Sequence, residues 1–229
     1  MEIKDIFKAA VENEISMISI TDHSNFDALD EIWEIYENGV FEKGKFKDFV
    51  NFLPGIELKT DKGKSGVHLI AIFPKEIIIR GIRKKADKKT LYDNFCSQLN
   101  LTESVIESNG NNDYSKGLLA SPVEFNKAIE LVHSLGGLVI VHGGDKHGSI
   151  ENEMDHTKSA NPKSEDLYKH LDITKADIIT NKIDVIELPN FNRGEAKNAK
   201  FYRRCFGKPC MLASDSHEKK EYESITKYT

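Results

Sequence analysis

The chain has 229 residues, 30% of them charged, and a formal net charge of -5, a length that can bury one sizeable core as a single α/β domain over 1–229. Mild acidity argues against non-specific nucleic-acid binding by the surface as a whole. No apolar run approaches the roughly 18 residues that span a bilayer, and the amino terminus lacks the basic-then-apolar order of a signal peptide, so a cytoplasmic protein without membrane contact is expected.

Apolar side chains at helical spacing (Ile3, Ile6, Phe7, Ala10, Val11) predict a helix over 3–13, which leads into a buried strand at Ile15–Ile20. That strand ends in Thr21-Asp-His23. Phe26, Leu29, Ile32, Trp33 and Tyr36 share one face of a helix over 25–38, and Gly39 to Asp48 reads as an exposed excursion. Strands at 52–58 and 67–73 are joined by residues with hairpin-loop chemistry. From 76 to 120 the alternation lapses into an insertion: a basic run (Arg80, Arg83, Lys84, Lys85, Lys88, Lys89), a helix at 90–99 and a Gly/Asn-rich turn at 108–113. No aromatic residues interleave with that basic run, so a solvated face is the plainer reading than a nucleic-acid track.

Regularity returns at Ser121-Pro-Val-Glu124, a capping box with proline at the first helical position. Gly136-Gly137 closes the helix before the strand 138–142, and a second insertion, the polar loop of 143–163, has the size of a lid that buries little of itself. A short helix at 164–171, a strand at 183–188, a helix through 198–206 and a strand at 210–214 complete the alternation. The three cysteines, Cys96, Cys205 and Cys210, are odd in number without metal-type spacing, which predicts reduced thiols.

In β/α folds, reacting groups gather at strand ends. Here the apolar runs end at or carry His23, Glu57, His68, His142, Glu187, and Asp215 with His217, and no Lys or Arg. Singly, each is an ordinary solvated or hydrogen-bonded residue. Together they make a borderline donor set suited to Zn, Mn or Fe rather than to Ca or Mg.

Thr21-Asp-His23, Pro54-Gly-Ile-Glu57, His68-Leu-Ile-Ala, Val141-His142-Gly, Ile186-Glu-Leu and Ser214-Asp-Ser-His217 resemble the ordered motifs of the PHP (polymerase and histidinol phosphatase) superfamily across nearly the whole chain. The resemblance implies a distorted (β/α)7 barrel holding up to three divalent metal ions, and a phosphoesterase that cleaves P–O bonds with metal-activated water. It also implies that Glu57 bridges two metals, that His68 and His142 complete one site, that Asp215 belongs to another, and that His23 and His217 serve a third. Glu57, His142 and Asp215 are the expected catalytic residues, and Glu187 a group supporting the ligands or touching substrate. The family opens with a strand ending in His-x-His, whereas this chain begins at the helix after that motif. The barrel is therefore expected to lack its first strand, and the chain to be a piece of a longer protein. The segment His142-Gly-Gly-Asp-Lys-His-Gly-Ser-Ile-Glu151 is most similar to PHP modules preceding bacterial AAA-type ATPases, which implies an ATPase domain as a partner.

The substrate is expected to be a phosphoester, of a nucleotide, a nucleic acid or a small molecule as in histidinol phosphatases. Lys146 and Arg193, each following a ligand-bearing strand, are candidate phosphate clamps. The competing reading is a non-catalytic domain whose metals hold the fold together. Two further expectations are that the strands at 15–20 and 211–214 each lack a neighbour, and that the chain holds about one metal tightly.

Overall fold

A computed structural model describes residues 2–42, 44–144, 146–154, 173–188 and 195–212. Its main sheet has six strands in the order β1-β4-β5-β8-β9-β10 and curls into a half-barrel. These are β1 (Met17–His23), β4 (Asn51–Lys59), β5 (His68–Ile72), β8 (Leu138–His142), β9 (Val185–Leu188) and β10 (Cys210–Leu212). Among the described residues β1 and β10 form the two margins of this sheet, each with one partner strand there.

Five of the six strands run the same way, and β5 runs against both of its neighbours. That reversal follows from the short β4–β5 connection, too short for a crossover helix, and it is tied by Thr60 and Val67 across the hairpin mouth. Gly55 lets β1 and β4 approach: a Cβ there would stand 2.4 Å from Ser19 Oγ and 2.7 Å from Thr21 Cγ2.

Helices cover the outer face of the sheet. α1 (Ile3–Glu12) and α2 (Leu29–Asn38) bury Phe7, Trp33 and Tyr36 against Phe52 of β4. Phe52 is fully buried among these rings, so truncation to alanine costs about 3–5 kcal/mol. α2 begins four residues later than its apolar spacing suggested, because Asn25 caps a turn by accepting the Asp27 N–H.

The stretch after α2 is not the exposed excursion expected. It forms a two-residue hairpin, β2 (Val40–Phe41) and β3 (Gly44–Lys45), then the single turn α3 (Phe46–Phe49), and Phe46 is wholly buried against Phe7 and Phe41. Alternating charges hid one deeply anchored ring.

None of residues 76–120 enters the main sheet. They form a separate hairpin, β6 (Glu76–Ile79) and β7 (Ile82–Lys85), the turn α4 (Lys88–Leu91) continuing helically to Leu99, then α5 (Glu103–Asn109) and α6 (Tyr114–Ala120). Half of the basic run, Arg83 to Lys85, thus lies on an exposed strand, with Lys85 over the Trp33 ring and paired with Glu37. α7 (Phe125–Ser134) starts after the anticipated capping box. Val123 bridges to Thr60 instead, and Asp61 accepts the Phe125 N–H, so a residue from the β4–β5 loop does the capping.

The loop after β8 is not largely solvated over its described part. Ser149, Ile150, Glu151 and Glu153 are buried, and Ile150–Glu153 form the turn α8. Glu153 accepts the N–H groups of Ser65 and Gly66, and Glu151 accepts from the Tyr202 hydroxyl. α9 (Ile173–Lys182), which the periodicity did not suggest, precedes β9, and α10 (Glu195–Phe206) precedes β10. The expected helix at 164–171 and the end of the 143–163 loop fall outside the described residues. No described helix is long and apolar enough to cross a membrane.

Candidate metal centre

Strand register alone brings the site together. His23 of β1 is paired with Glu57 of β4, Glu57 with Ile70 of β5, Ile70 with Ile140 of β8, and His142 with Glu187 of β9. Residues two apart on a strand point the same way. His23, Glu57, His68, His142 and Glu187 therefore project from one face at one end of the sheet. His68 belongs with them because β5 is reversed, which puts its first residue where the other strands finish. The intervening residues Ile56, Leu58, Leu69, Val141 and Ile186 face the opposite way into the main core.

The ligand atoms of Glu57, His68 and His142 lie within 4.8 Å of one another. Glu57 Oε1 is 2.7 Å from His68 Nδ1, 3.9 Å from His23 Nε2 and 4.0 Å from His142 Nε2. Burial works to raise the Glu57 carboxyl, but the His68 hydrogen bond and the neighbouring imidazoles outweigh it and hold it at about 2. Glu187, 1% exposed, is likewise pushed up by burial, yet His142 and then Lys146 bring it below the ordinary range.

His142 carries the chemical information. Its Nδ1 is 2.7 Å from the His147 carbonyl oxygen, which only accepts, so Nδ1 bears a proton. A neutral ring then presents the Nε2 lone pair to Glu187 Oε2 at 3.2 Å and Glu57 at 4.0 Å. Both His142 Nε2 and Glu187 Oε2 are buried without a hydrogen-bond partner. A lone pair facing two carboxylates inside a protein is unfavourable unless a cation joins them. At neutral pH a divalent metal ion fits that role: the donors are two imidazoles and a carboxylate, and the Nδ1–H bond to a carbonyl is the contact that commonly fixes a ligating histidine.

The loop after β8 completes the cup. Gly148, at φ +69°, lies so close to the His68 ring that an added Cβ would stand 2.4 Å from its Cδ2, and its carbonyl accepts the His68 N–H. Lys146 forms an ion pair with Glu187 and is thus engaged with the cup wall, whereas the sequence suggested a clamp reaching for phosphate. His147 and Gly148 escaped sequence reasoning because they act through backbone groups; the His-Gly-Gly-Asp-Lys-His-Gly spacing was the available signal. Arg193, Asp215 and His217 lie outside the described residues.

No protein-family model matches the chain, and no curated protein matches it in sequence. Solved structures do resemble it. Endonuclease Q, in a complex with a duplex substrate bearing an abasic lesion at the active site, aligns at a TM-score of 0.50 and 17% identity, covering 94% of this chain and 44% of that one. A Bifidobacterium adolescentis protein assigned as a metal-dependent phosphoesterase aligns at 0.51 and 12%, covering 98% of this chain and 84% of that one. An amidohydrolase from Chromobacterium violaceum, with bound sulfate and no metal, aligns at 0.52 and 13%, covering 95% and 82%. The chain thus spans less than half of the Endonuclease Q chain, and what it shares with all three is the fold: a curled α/β sheet of the kind these hydrolases are built on.

Proposed function

We infer that this chain is a hydrolase module that cleaves phosphoesters with divalent metal ions. The observation that carries the reading is the buried His142 Nε2, which has no hydrogen-bond partner and is aimed at two carboxylates while the His147 carbonyl holds Nδ1. Glu57, His68 and His142 would hold the ion, and Glu187 would fix the orientation and charge around His142. A metal bound there supplies Lewis acidity, polarising a phosphoryl oxygen and activating water at neutral pH. The chain's own residues do the rest: Glu57 stays ionised, the His142 Nδ1–H bond keeps the ring oriented, and Lys146 balances the Glu187 carboxylate.

His23, 36% exposed at its side chain and 3.9 Å from Glu57, borders the cup on its open side, where it can meet substrate or a further ion. Asp215 and His217, which follow β10 in the sequence, are assigned to the site on the PHP resemblance alone. Kinship of fold with a phosphoesterase and with a nuclease acting on duplex DNA supports phosphoester hydrolysis as the reaction class. Hydrolysis of a generic phosphodiester and a generic phosphomonoester, abolished by chelation and regained with Mn or Zn, tests it. Activity unaffected by chelation contradicts it, as does a metal-loaded protein inert toward both ester types.

A further inference from the structure

The groups that orient the cup are themselves held from behind. The His142 ring and the His68 backbone N–H each bond a carbonyl of the loop after β8, His147 for the first and Gly148 for the second. Those carbonyls can serve only if the chain leaving β8 returns to the cup by one path. Its start is fixed on β9, where the Glu187 carbonyl accepts the Gly143 N–H at 2.9 Å. The next residue, Gly144, is gripped at both backbone groups by buried side chains. Its N–H donates to the Tyr202 hydroxyl at 3.2 Å, and its carbonyl accepts from Ser149 Oγ at 2.9 Å.

Tyr202, in α10, is fully buried. A hydroxyl has a single proton, and here it goes to Glu151, which is fully buried as well. The oxygen then offers Gly144 only its lone pairs, so Glu151 sets the direction of the bond. Gly143 leaves room for the arrangement: a Cβ there would stand 2.4 Å from Ile186 Cγ2 and 3.1 Å from the Tyr202 hydroxyl. Fastening α10 to the loop would not by itself call for a buried carboxylate, since well-packed apolar side chains serve as well. Directing one acceptor at one N–H does.

We propose that Tyr202 and Ser149 are positioning residues for the cup: by fixing Gly144 they bring the His147 carbonyl back onto His142 Nδ1 and so keep Nε2 aimed at the ion. The effect on metal binding rests on the reading of the cup as a metal centre; the control of the His142 ring does not.

The test compares the parent chain with Tyr202→Phe, Ser149→Ala and a control, Tyr36→Phe, which also removes a buried, hydrogen-bonded hydroxyl but at the Lys75 contact of α2. The first measurement needs no metal. In isotope-labelled, metal-stripped protein the His142 Nδ1 proton should be protected from exchange and visible by NMR in the parent and in Tyr36→Phe. It should be broadened or lost in Tyr202→Phe and Ser149→Ala while the amide spectrum stays folded. The second is Zn affinity by chelator competition, expected to weaken about tenfold in Tyr202→Phe and in Ser149→Ala and to hold in Tyr36→Phe. A hydroxyl that merely anchored α10 would lower stability yet leave both readouts at the parent's values. Either readout unchanged in a folded Tyr202→Phe or Ser149→Ala overturns the proposal, as do equal effects in Tyr36→Phe or a ring proton absent from the parent spectrum. A variant that fails to fold leaves the other to decide. A parent chain that takes up no Zn contradicts the metal reading instead, and the ring proton alone then upholds or overturns the positioning role.

Discussion

A histidine–carboxylate pair stands at each end of the β8–β9 ladder, one part-exposed and one buried. At the far end His133, in the last turn of α7, meets Asp184 at 2.8 Å, their side chains 40% and 34% exposed, and the same carboxylate oxygen accepts the Val139 N–H. Both side chains there have a partner and are part-exposed. At the near end His142 and Glu187 stand 3.2 Å apart at 6% and 1% side-chain exposure, and His142 Nε2 and Glu187 Oε2 lack hydrogen bonds. The first arrangement ties a helix to a strand. The second keeps an uncompensated electrostatic demand in the interior, and folding tolerates that where a ligand will meet it. Burial together with unmade bonds, rather than the presence of histidine and acid, distinguishes a site from a strut.

The largest expected effect breaks the near pair. His142→Ala should reduce metal-dependent phosphoester hydrolysis by about 100-fold or more, because it removes a ligand, while His133→Ala leaves turnover unchanged. Steady-state rates at saturating metal decide this. Glu187→Gln comes next. It keeps the shape but withdraws the charge facing His142, so metal affinity should fall about 10–100-fold with the fold retained, read by competition against a chromophoric chelator.

Acid sharpens the contrast further. Metal binding requires neutral His68 and His142, so affinity should decline on acidification as protons compete with the ion. Glu57, held at about 2, stays ionised throughout that decline. Because its folded-state value lies below the ordinary 4.5, Glu57 stabilises the folded chain above that pH, and the contribution is lost as pH drops toward 2. Metal release should thus precede acid unfolding, seen as loss of bound ion at a pH where the circular dichroism is still native. The smallest effect belongs to the far pair: His133→Ala should cost no more than about 1 kcal/mol in denaturant unfolding, as expected of a part-exposed ion pair.

Much of the sheet was legible because its strands are short apolar runs ending in polar residues, and register then places Glu57, His68, His142 and Glu187 together without further information. What escaped depends on partners distant in the chain. Glu151 and Glu153 read as loop charges, yet Tyr202 and the Ser65–Gly66 amides, far away in sequence, bury them. Ser121-Pro-Val-Glu124 has the composition of a helix start, but Thr60 takes Val123 into a bridge and Asp61 supplies the cap. α9 was hidden because lysines, threonines and an asparagine interrupt its apolar face at Ile178 and Ile179. His147 contributes a carbonyl oxygen, which every residue type has.

The central claim is that the unmet demand around His142 is a demand for a metal ion. Equilibrium titration with Zn of the metal-stripped protein, His142→Ala and His133→Ala tests it most directly. The account predicts at least one tight site in the parent chain and in His133→Ala, with one tight equivalent lost in His142→Ala. Equal tight binding by all three proteins, or none by the parent, would contradict it.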